Sequence, residues 1–394
     1  MTEAKTSLRK KEKRFSIPVW GPLLWSLLFV VLGYVIENNV TYPLFEDWLP
    51  FSIKEYVWGN DADPRPFSKD SLLCVDVAYD KQFAQYAKDG IVQGDIVITD
   101  RAKLLEFFQI ARNADYKYCF LDVRFEKGVR TDSDSLLFQT ILDLPRLVIA
   151  NHAGNADYQI ADERLLGKAA LADYHSTLFT GFTRYNYLQK AGPSVALKMY
   201  EDLDQGSIRR RGPFFFSGGR LCTNAQFLSI PAYLTQQERD DQTMLYPHLG
   251  AQLLDNPPEL VASAMSGKII LIGDFNEDKH QTYMGDIPGC LLSYLAYLDL
   301  HQGKHNGIAQ IVLALVIIVL YFLCFAGISL CLSLQNPSKK RSSLFIVVTS
   351  FITWGLFFLL VKTLVFKITG IAISTLIPVL VFPLVYAVKK NKFL

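Results

Sequence analysis

The sequence predicts an α/β extracytoplasmic domain with a largely parallel or mixed sheet, accompanied by four transmembrane α-helices, one before it and three after. Three observations carry that expectation. Apolar stretches close to the ~20 residues that span a bilayer stand at 17–36, 307–334, 344–361 and 368–388. Acidic residues are absent from Gly307 onward, while Lys339, Lys340, Arg341, Lys389, Lys390 and Lys392 flank the apolar stretches. Between the first and second stretches, short continuous apolar runs alternate with runs of helical period. The formal net charge of +2 averages over these unlike regions and gives no reason to invoke nucleic acid.

In chain order, residues 1–16 form a basic tail (Lys5, Arg9, Lys10, Lys11, Lys13, Arg14), expected in the cytoplasm. The stretch 17–36 is longer than a usual signal-peptide core and has no A-x-A site before Glu37-Asn38-Asn39, so it reads as a retained anchor. Pro18 falls in its first turn, where the missing N–H costs little. Residues 37–306 would form the extracytoplasmic domain, long enough for one sizeable core. After the span 307–334, a cytoplasmic loop at 335–343 leads to spans 344–361 and 368–388 and a cytoplasmic tail at 389–394. This arrangement puts every strong Lys/Arg cluster inside a bacterial inner membrane and the large domain in the periplasm. Lys362 and Lys367 depart from the pattern and read as snorkelling anchors.

Within the middle region, strands are expected at 72–77 (LLCVDV), 95–99 (DIVIT), 118–125 (YCFLDVRF), 146–151 (RLVIAN), 178–183 and 268–275 (KIILIGDF). Helices are expected at 100–113, 133–142, 193–202 and 288–300, with Asp100 as an N-cap. Strands that are apolar at every position suit a sheet covered on both faces. The helix 288–300 runs almost directly into the second span, so it would either pass motion into the bilayer or dock the domain upon it.

Asp76, Asp122 and Asp274 fall at the carboxyl ends of expected strands, the edge where ligands gather in open parallel sheets. Arg101, Asp278 and Thr282 are placed to join them in a ligand-binding pocket. The plainer alternative is that these residues cap helices and pair with Arg101 or Arg124. His152, His175, His248 and His280 have no metal-ligand spacing, and no C-x-x-C, G-x-S-x-G, Walker-type or G-x-G-x-x-G motif occurs. No metal, cofactor or catalytic residue is therefore expected. Arg209-Arg210-Arg211 before Gly212-Pro213-Phe214 reads as a solvated turn or a contact for anionic groups.

Three stretches resemble the second type of CHASE domain, a sensory extracellular family associated with cyclases and histidine kinases. They are SLLCVDVAYDKQFA with Asp76, TDRAKLLEFFQIARNADYKYCFLDVRF with Arg101 and Asp122, and SGKIILIGDFNEDKHQTYMGDIPGCLLSYLAYLDL with Gly273, Asp278, Thr282, Pro288 and Gly289. The resemblance implies a non-enzymatic membrane sensor that binds a periplasmic small molecule or protein. Such a sensor would relay the signal to a separate membrane or cytoplasmic partner, with a homodimer as one assembly. Relatives commonly continue into a cytoplasmic output domain; here the chain stops at Leu394, which implies the stand-alone form. The competing expectation is a structural scaffold subunit of an envelope protein complex.

Overall fold

The computed structural model describes residues 20–39, 67, 70–88, 90–152, 160, 162–173, 176–177, 181–182, 184–228, 230, 247–282 and 285–309, with a few more at 311–312, 315–316, 356, 360–361 and 363–364. The chain divides into two compact units, and almost everything described belongs to the one spanning residues 35–310 with 359–373.

That unit is built on five parallel strands: β1 (Leu72–Asp76), β4 (Tyr118–Leu121), β5 (Leu147–Asn151), β6 (Ala169–Leu171) and β7 (Ile269–Gly273). Between β1 and β4 lies an antiparallel ribbon of β2 (Lys81–Lys88) and β3 (Ile91–Thr99). The sheet order is β1-β7-β4-β5-β6, so β7, last in sequence, sits between the first two strands of the sheet.

Successive side chains leave opposite faces of a strand, and here both faces are covered. Leu72, Cys74, Phe120, Val148 and Leu271 enter one core with α4 (Val195–Asp204) and α6 (Gly289–His301). Leu73, Val75, Leu121, Ile149 and Ile272 enter a second core with α2 (Arg101–Ala111), α3 (Asp134–Asp143) and α5 (Pro258–Met265). The two cores explain why the strands are apolar at every position. Asp100 caps α2, its carboxylate accepting from the N–H groups of Ala102 and Lys103.

The parallel α/β expectation therefore holds for the central strands, while three details differ. The 95–99 run belongs to the ribbon and not to the central sheet, because its partner Lys81–Lys88 alternates too weakly in hydropathy to be read as a strand. The expected strand at 118–125 stops at Leu121, where the parallel pairing ends. Of the expected strand 178–183, residues 178–180 and 183 lie outside the described residues; Gly181–Phe182 makes a short strand beside β8 (Lys279–Thr282). The hairpin partner of β8 is β9 (Gly285–Pro288).

The membrane expectation requires correction. Among the described residues, no helix is long and apolar enough to cross a membrane. The spans at 307–334, 344–361 and 368–388 lie almost wholly outside the described residues, as do the tails 1–16 and 389–394 and the loop 335–343. The first span coincides with α1 (Trp20–Asn39), which carries Glu37, Asn38 and Asn39 into its last turn. Val30, Tyr34 and Asn38 are buried on one side of α1, while Leu27, Leu28 and Leu32 on the other are exposed. Its polar end is held by protein: Asn38 Oδ1 accepts from the N–H of Asn224 and of Ala225 (3.2 Å), and Asn39 Oδ1 accepts from Arg210 at 2.9 Å. The four-helix topology, the multi-pass placement in a bacterial inner membrane and the transmembrane relay to a membrane or cytoplasmic partner thus lose their structural basis. The helix expected either to pass motion into the bilayer or to dock the domain upon it, α6, is instead enclosed in the core from Gly289 to Leu300.

Candidate functional site: an acidic cleft at the carboxyl edge of the sheet

Because all five strands run the same way, their carboxyl ends share one edge. Just beyond them stand Asp122 after β4, His152 after β5, Asp173 after β6 and Asp274 after β7. These four line a cleft of about 520 Å³ together with Asp278, His280 and the base of the ribbon. The volume lies within the ~300–1,000 Å³ usual for ligand pockets.

The carboxylates in the cleft are not equivalent. Asp274 is engaged on both oxygens: Oδ1 accepts from the N–H groups of Asn276 (3.1 Å) and Glu277 (2.7 Å), and Oδ2 pairs with Lys81 Nζ at 2.9 Å. Burial alone would raise its carboxyl, but those hydrogen bonds and Lys81 hold it below the ordinary carboxylate range. Asp173 is paired with His152, Oδ1 to Nδ1 at 3.0 Å. Asp278 Oδ1 lies 3.1 Å from Nε2 of His280. Burial and the neighbouring His152 push His280 down to about 4, so it is neutral at pH 7 and meets Asp278 as a hydrogen-bond donor in the tautomer protonated at Nε2.

Asp122 stands apart. Among the described residues its carboxylate makes no side-chain hydrogen bond, while its backbone N–H bonds to Ile272 O at 2.7 Å as an extension of the sheet. Burial, then the charge of Asp278, raises the Asp122 carboxyl to about 7; His152 and Arg124 oppose the rise. Asp278 is raised as well, by burial first, with Arg124 opposing and Asp274 adding. A carboxyl raised by its own burial and by a neighbouring carboxylate holds its proton to near neutrality.

The floor of the site depends on Gly289, the first residue of α6. A Cβ there would lie 3.0 Å from Asp278 Oδ2 and 3.1 Å from His280 Nε2. Glycine lets both side chains rest against the amino end of the helix, where negative charge is favoured.

The structure brings together three of the six residues the sequence singled out, Asp122, Asp274 and Asp278. Asp76 is buried at the end of β1, outside the cleft lining, with Oδ1 accepting from the N–H groups of Ala78 (2.9 Å) and Phe275 (3.1 Å). Thr282 is buried in the β8–β9 turn, its hydroxyl donating to Gly285 O at 2.6 Å. Arg101 lines a different cavity and pairs with Asp134 at 2.6 Å. The sequence weighs His152 and His280 only as metal ligands and leaves Asp173 and Lys81 unmarked. A strand-edge search would have found Asp173 had the three-residue β6 been recognised. Among the described residues, no three His, Cys, Asp or Glu side chains converge closely enough to hold a metal ion.

No family model, characterised protein or solved structure matches this chain. The resemblance to the second type of CHASE domain is corrected on that finding, and with it the sensory and homodimer expectations it implied. Its motif residues have local structural work: Gly273 ends β7, and Asp278 and Gly289 meet at the base of α6.

Proposed function

We propose that this chain is a non-catalytic scaffold subunit whose α/β domain docks a basic, partly apolar segment of a partner protein in the strand-edge cleft. The observation that carries this reading is a charge imbalance. Asp122, Glu126, Asp173, Asp274, Glu277 and Asp278 line the cleft against only Lys81 and Arg124, and Lys81 is already spent on Asp274. A lysine or arginine side chain entering here would meet the unbonded Asp122 and the neighbouring Asp278 in partly desolvated surroundings, where charge-assisted hydrogen bonds are strongest.

The rim supports a protein segment over a small free cation. Phe83 and Val97 are cross-strand partners on the ribbon, 79% and 59% exposed. Val97 also lines the cleft, so the apolar face and the acidic pocket are continuous. Exposed apolar surface beside a polar pocket fits an apolar residue next to the basic one. The absence of catalysis is part of the proposal. Cys74, Cys119 and Cys290 are buried, and burial raises their thiols far from the thiolate form a nucleophile needs.

The test is fluorescence polarisation of the full chain with a labelled nonapeptide of alternating arginine and leucine. Its glutamate-for-arginine counterpart and arginine methyl ester serve as controls. Tight binding of the first peptide alone is expected, roughly tenfold weaker with Asp122→Asn and weaker again with Phe83→Ser, one decade corresponding to about 1.4 kcal/mol. Equal binding of the acidic peptide, or of the methyl ester, would remove the docking reading.

A further inference from the structure

A second cavity, of about 540 Å³, opens on the other side of the segment that leaves β4. Arg101, the first residue of α2, lines it, yet only 2% of the residue is exposed. Its guanidinium lies over the Phe125 ring, 5.6 Å from the centroid, and Nη1 donates to Asp134 Oδ2 at 2.6 Å. Asp134 is otherwise satisfied, by the N–H of Thr131 on Oδ2 (2.9 Å) and the Thr131 hydroxyl on Oδ1 (2.8 Å). Nη2 of Arg101, though buried, has no hydrogen-bond partner among the described residues. A buried donor left without an acceptor costs about 1–3 kcal/mol, more when charged, so an unpaired guanidinium nitrogen beside a cavity asks for an acceptor delivered from outside.

A second set of donors stands at the same cavity. The first turn of α3 contributes Asp134 and Ser135 to the lining, and its N-cap Ser133 forms no side-chain cap. Among the described residues, no acceptor takes the N–H groups of Ser135 and Leu136. Arg164 on the far wall is neutralised by Asp162 at 2.6 Å. With the Arg101–Asp134 and Arg164–Asp162 pairs cancelled, the charges of Lys127 and Arg130 balance those of Glu126 and Glu163 in the lining, which has no net charge to repel an anion.

We propose that this cavity is a binding site for a small carboxylate anion, with Arg101 Nη2 as its buried donor and the amino end of α3 as the second. The proposal is independent of the docking function of the acidic cleft: it concerns the opposite charge and a different wall of the domain. A carboxylate fits better than a larger oxyanion because one guanidinium nitrogen and one helix terminus supply donors for two oxygens, as in a fork.

The experiment is saturation-transfer NMR of acetate with the full chain, at constant ionic strength set by chloride, with inorganic phosphate as competitor. A saturable acetate signal is expected, with the dissociation constant raised at least fivefold in Arg101→Lys. That change keeps a cation for Asp134 and withdraws the second nitrogen. Should Arg101→Lys fail to fold, Ser135→Pro decides. It removes one of the N–H groups at a first-turn position where proline is tolerated, and the same weakening is expected. No saturable signal, unchanged affinity in the folded variants, or phosphate binding more tightly than acetate would each overturn the proposal.

Discussion

Asp76 closes β1 and Asp122 follows β4 directly, at the same edge of one parallel sheet, and both strands pair with β7. By position they are the same residue, and the sequence treats them alike. In the structure Asp76 is 5% exposed and its Oδ1 carries two backbone N–H groups, one of them the buried N–H of Phe275. It ties the end of β1 to the loop after β7. Asp122 sits beside the open cleft with no hydrogen bond on its carboxylate among the described residues, and its proton is held to about pH 7. A strand-end aspartate is thus a structural tie when loop N–H groups fold back onto it, and is available for binding when they do not. The loop after β7 makes the choice, because it folds over Asp76 and leaves Asp122 uncovered.

The comparison predicts opposite responses to neutralisation. Asp76→Ala strips the acceptor from two N–H groups and should cost about 3 kcal/mol, read as a lower urea midpoint with unchanged m-value. Wild-type stability would mean that water replaces the carboxylate, and the two aspartates would then differ less than their geometry indicates. Asp122→Asn should do the reverse. A carboxyl whose folded value lies near 7 and whose unfolded value is near 4 binds protons more tightly in the folded state. Its contribution is fully present below about pH 4 and is lost as the pH rises through about 7. Removing the ionisable group should therefore raise stability at pH 8 by on the order of 2 kcal/mol, discounted for solvent in the cleft, and leave it unchanged at pH 4. His280 works against that trend in the wild type. Its value is lowered to about 4, so its contribution is present above about pH 6.5 and fades as the pH falls toward 4. Comparing Asp122→Asn with the wild type at each pH cancels His280. A variant more stable yet weaker in binding the arginine peptide is the signature of a residue kept for function.

Much of the scaffold was legible because it rests on local pattern. The runs LLCVD, LVIAN and IILIG announce buried strands, and Asp100 announces the start of α2. The ribbon was half legible: Ile96, Val97 and Ile98 mark the second half of β3, but KQFAQYAK offers only Phe83 and Tyr86 as strand formers. Its stability comes from a tertiary contact, Ala84 and Ile98 against Val129, that no local window reveals. The site was legible as a list of strand ends and illegible as an arrangement. Strand order decides which ends meet, and β7 joins β1 to β4 from nearly 150 residues beyond β4. Hydropathy alone misled at α1, where the apolar run hides a polar end that hydrogen-bonds to the domain.

A smaller change probes the cleft floor. Gly289→Ala places a methyl group 3.0 Å from Asp278 Oδ2 and 3.1 Å from His280 Nε2, closer than ordinary contacts. Both are ends of side chains that can yield by a few tenths of an ångström, and alanine favours the helix by up to ~1 kcal/mol. Stability should therefore change by less than ~1 kcal/mol while affinity for the arginine peptide falls several-fold. Unchanged affinity would show that Asp278 is not part of the docking surface.

The smallest expected effect on stability concerns Lys81, which joins the ribbon to the cleft through Asp274. With the lysine side chain 30% exposed, the ion pair is a partly screened one, and Lys81→Met should cost less than ~1 kcal/mol. Its effect on binding should run the other way. Removing one of the two permanent cations lining the cleft leaves Asp274 without its partner, and the arginine peptide should bind several-fold more tightly at low salt. Because the gain is electrostatic, it should shrink as ionic strength rises and the Debye length falls from ~10 Å at 0.1 M toward ~3 Å at 1 M. Weaker binding in this variant would mean that Lys81 holds the ribbon in the orientation the partner needs. Phe83 and Val97, and not the carboxylates, would then dominate the docking surface.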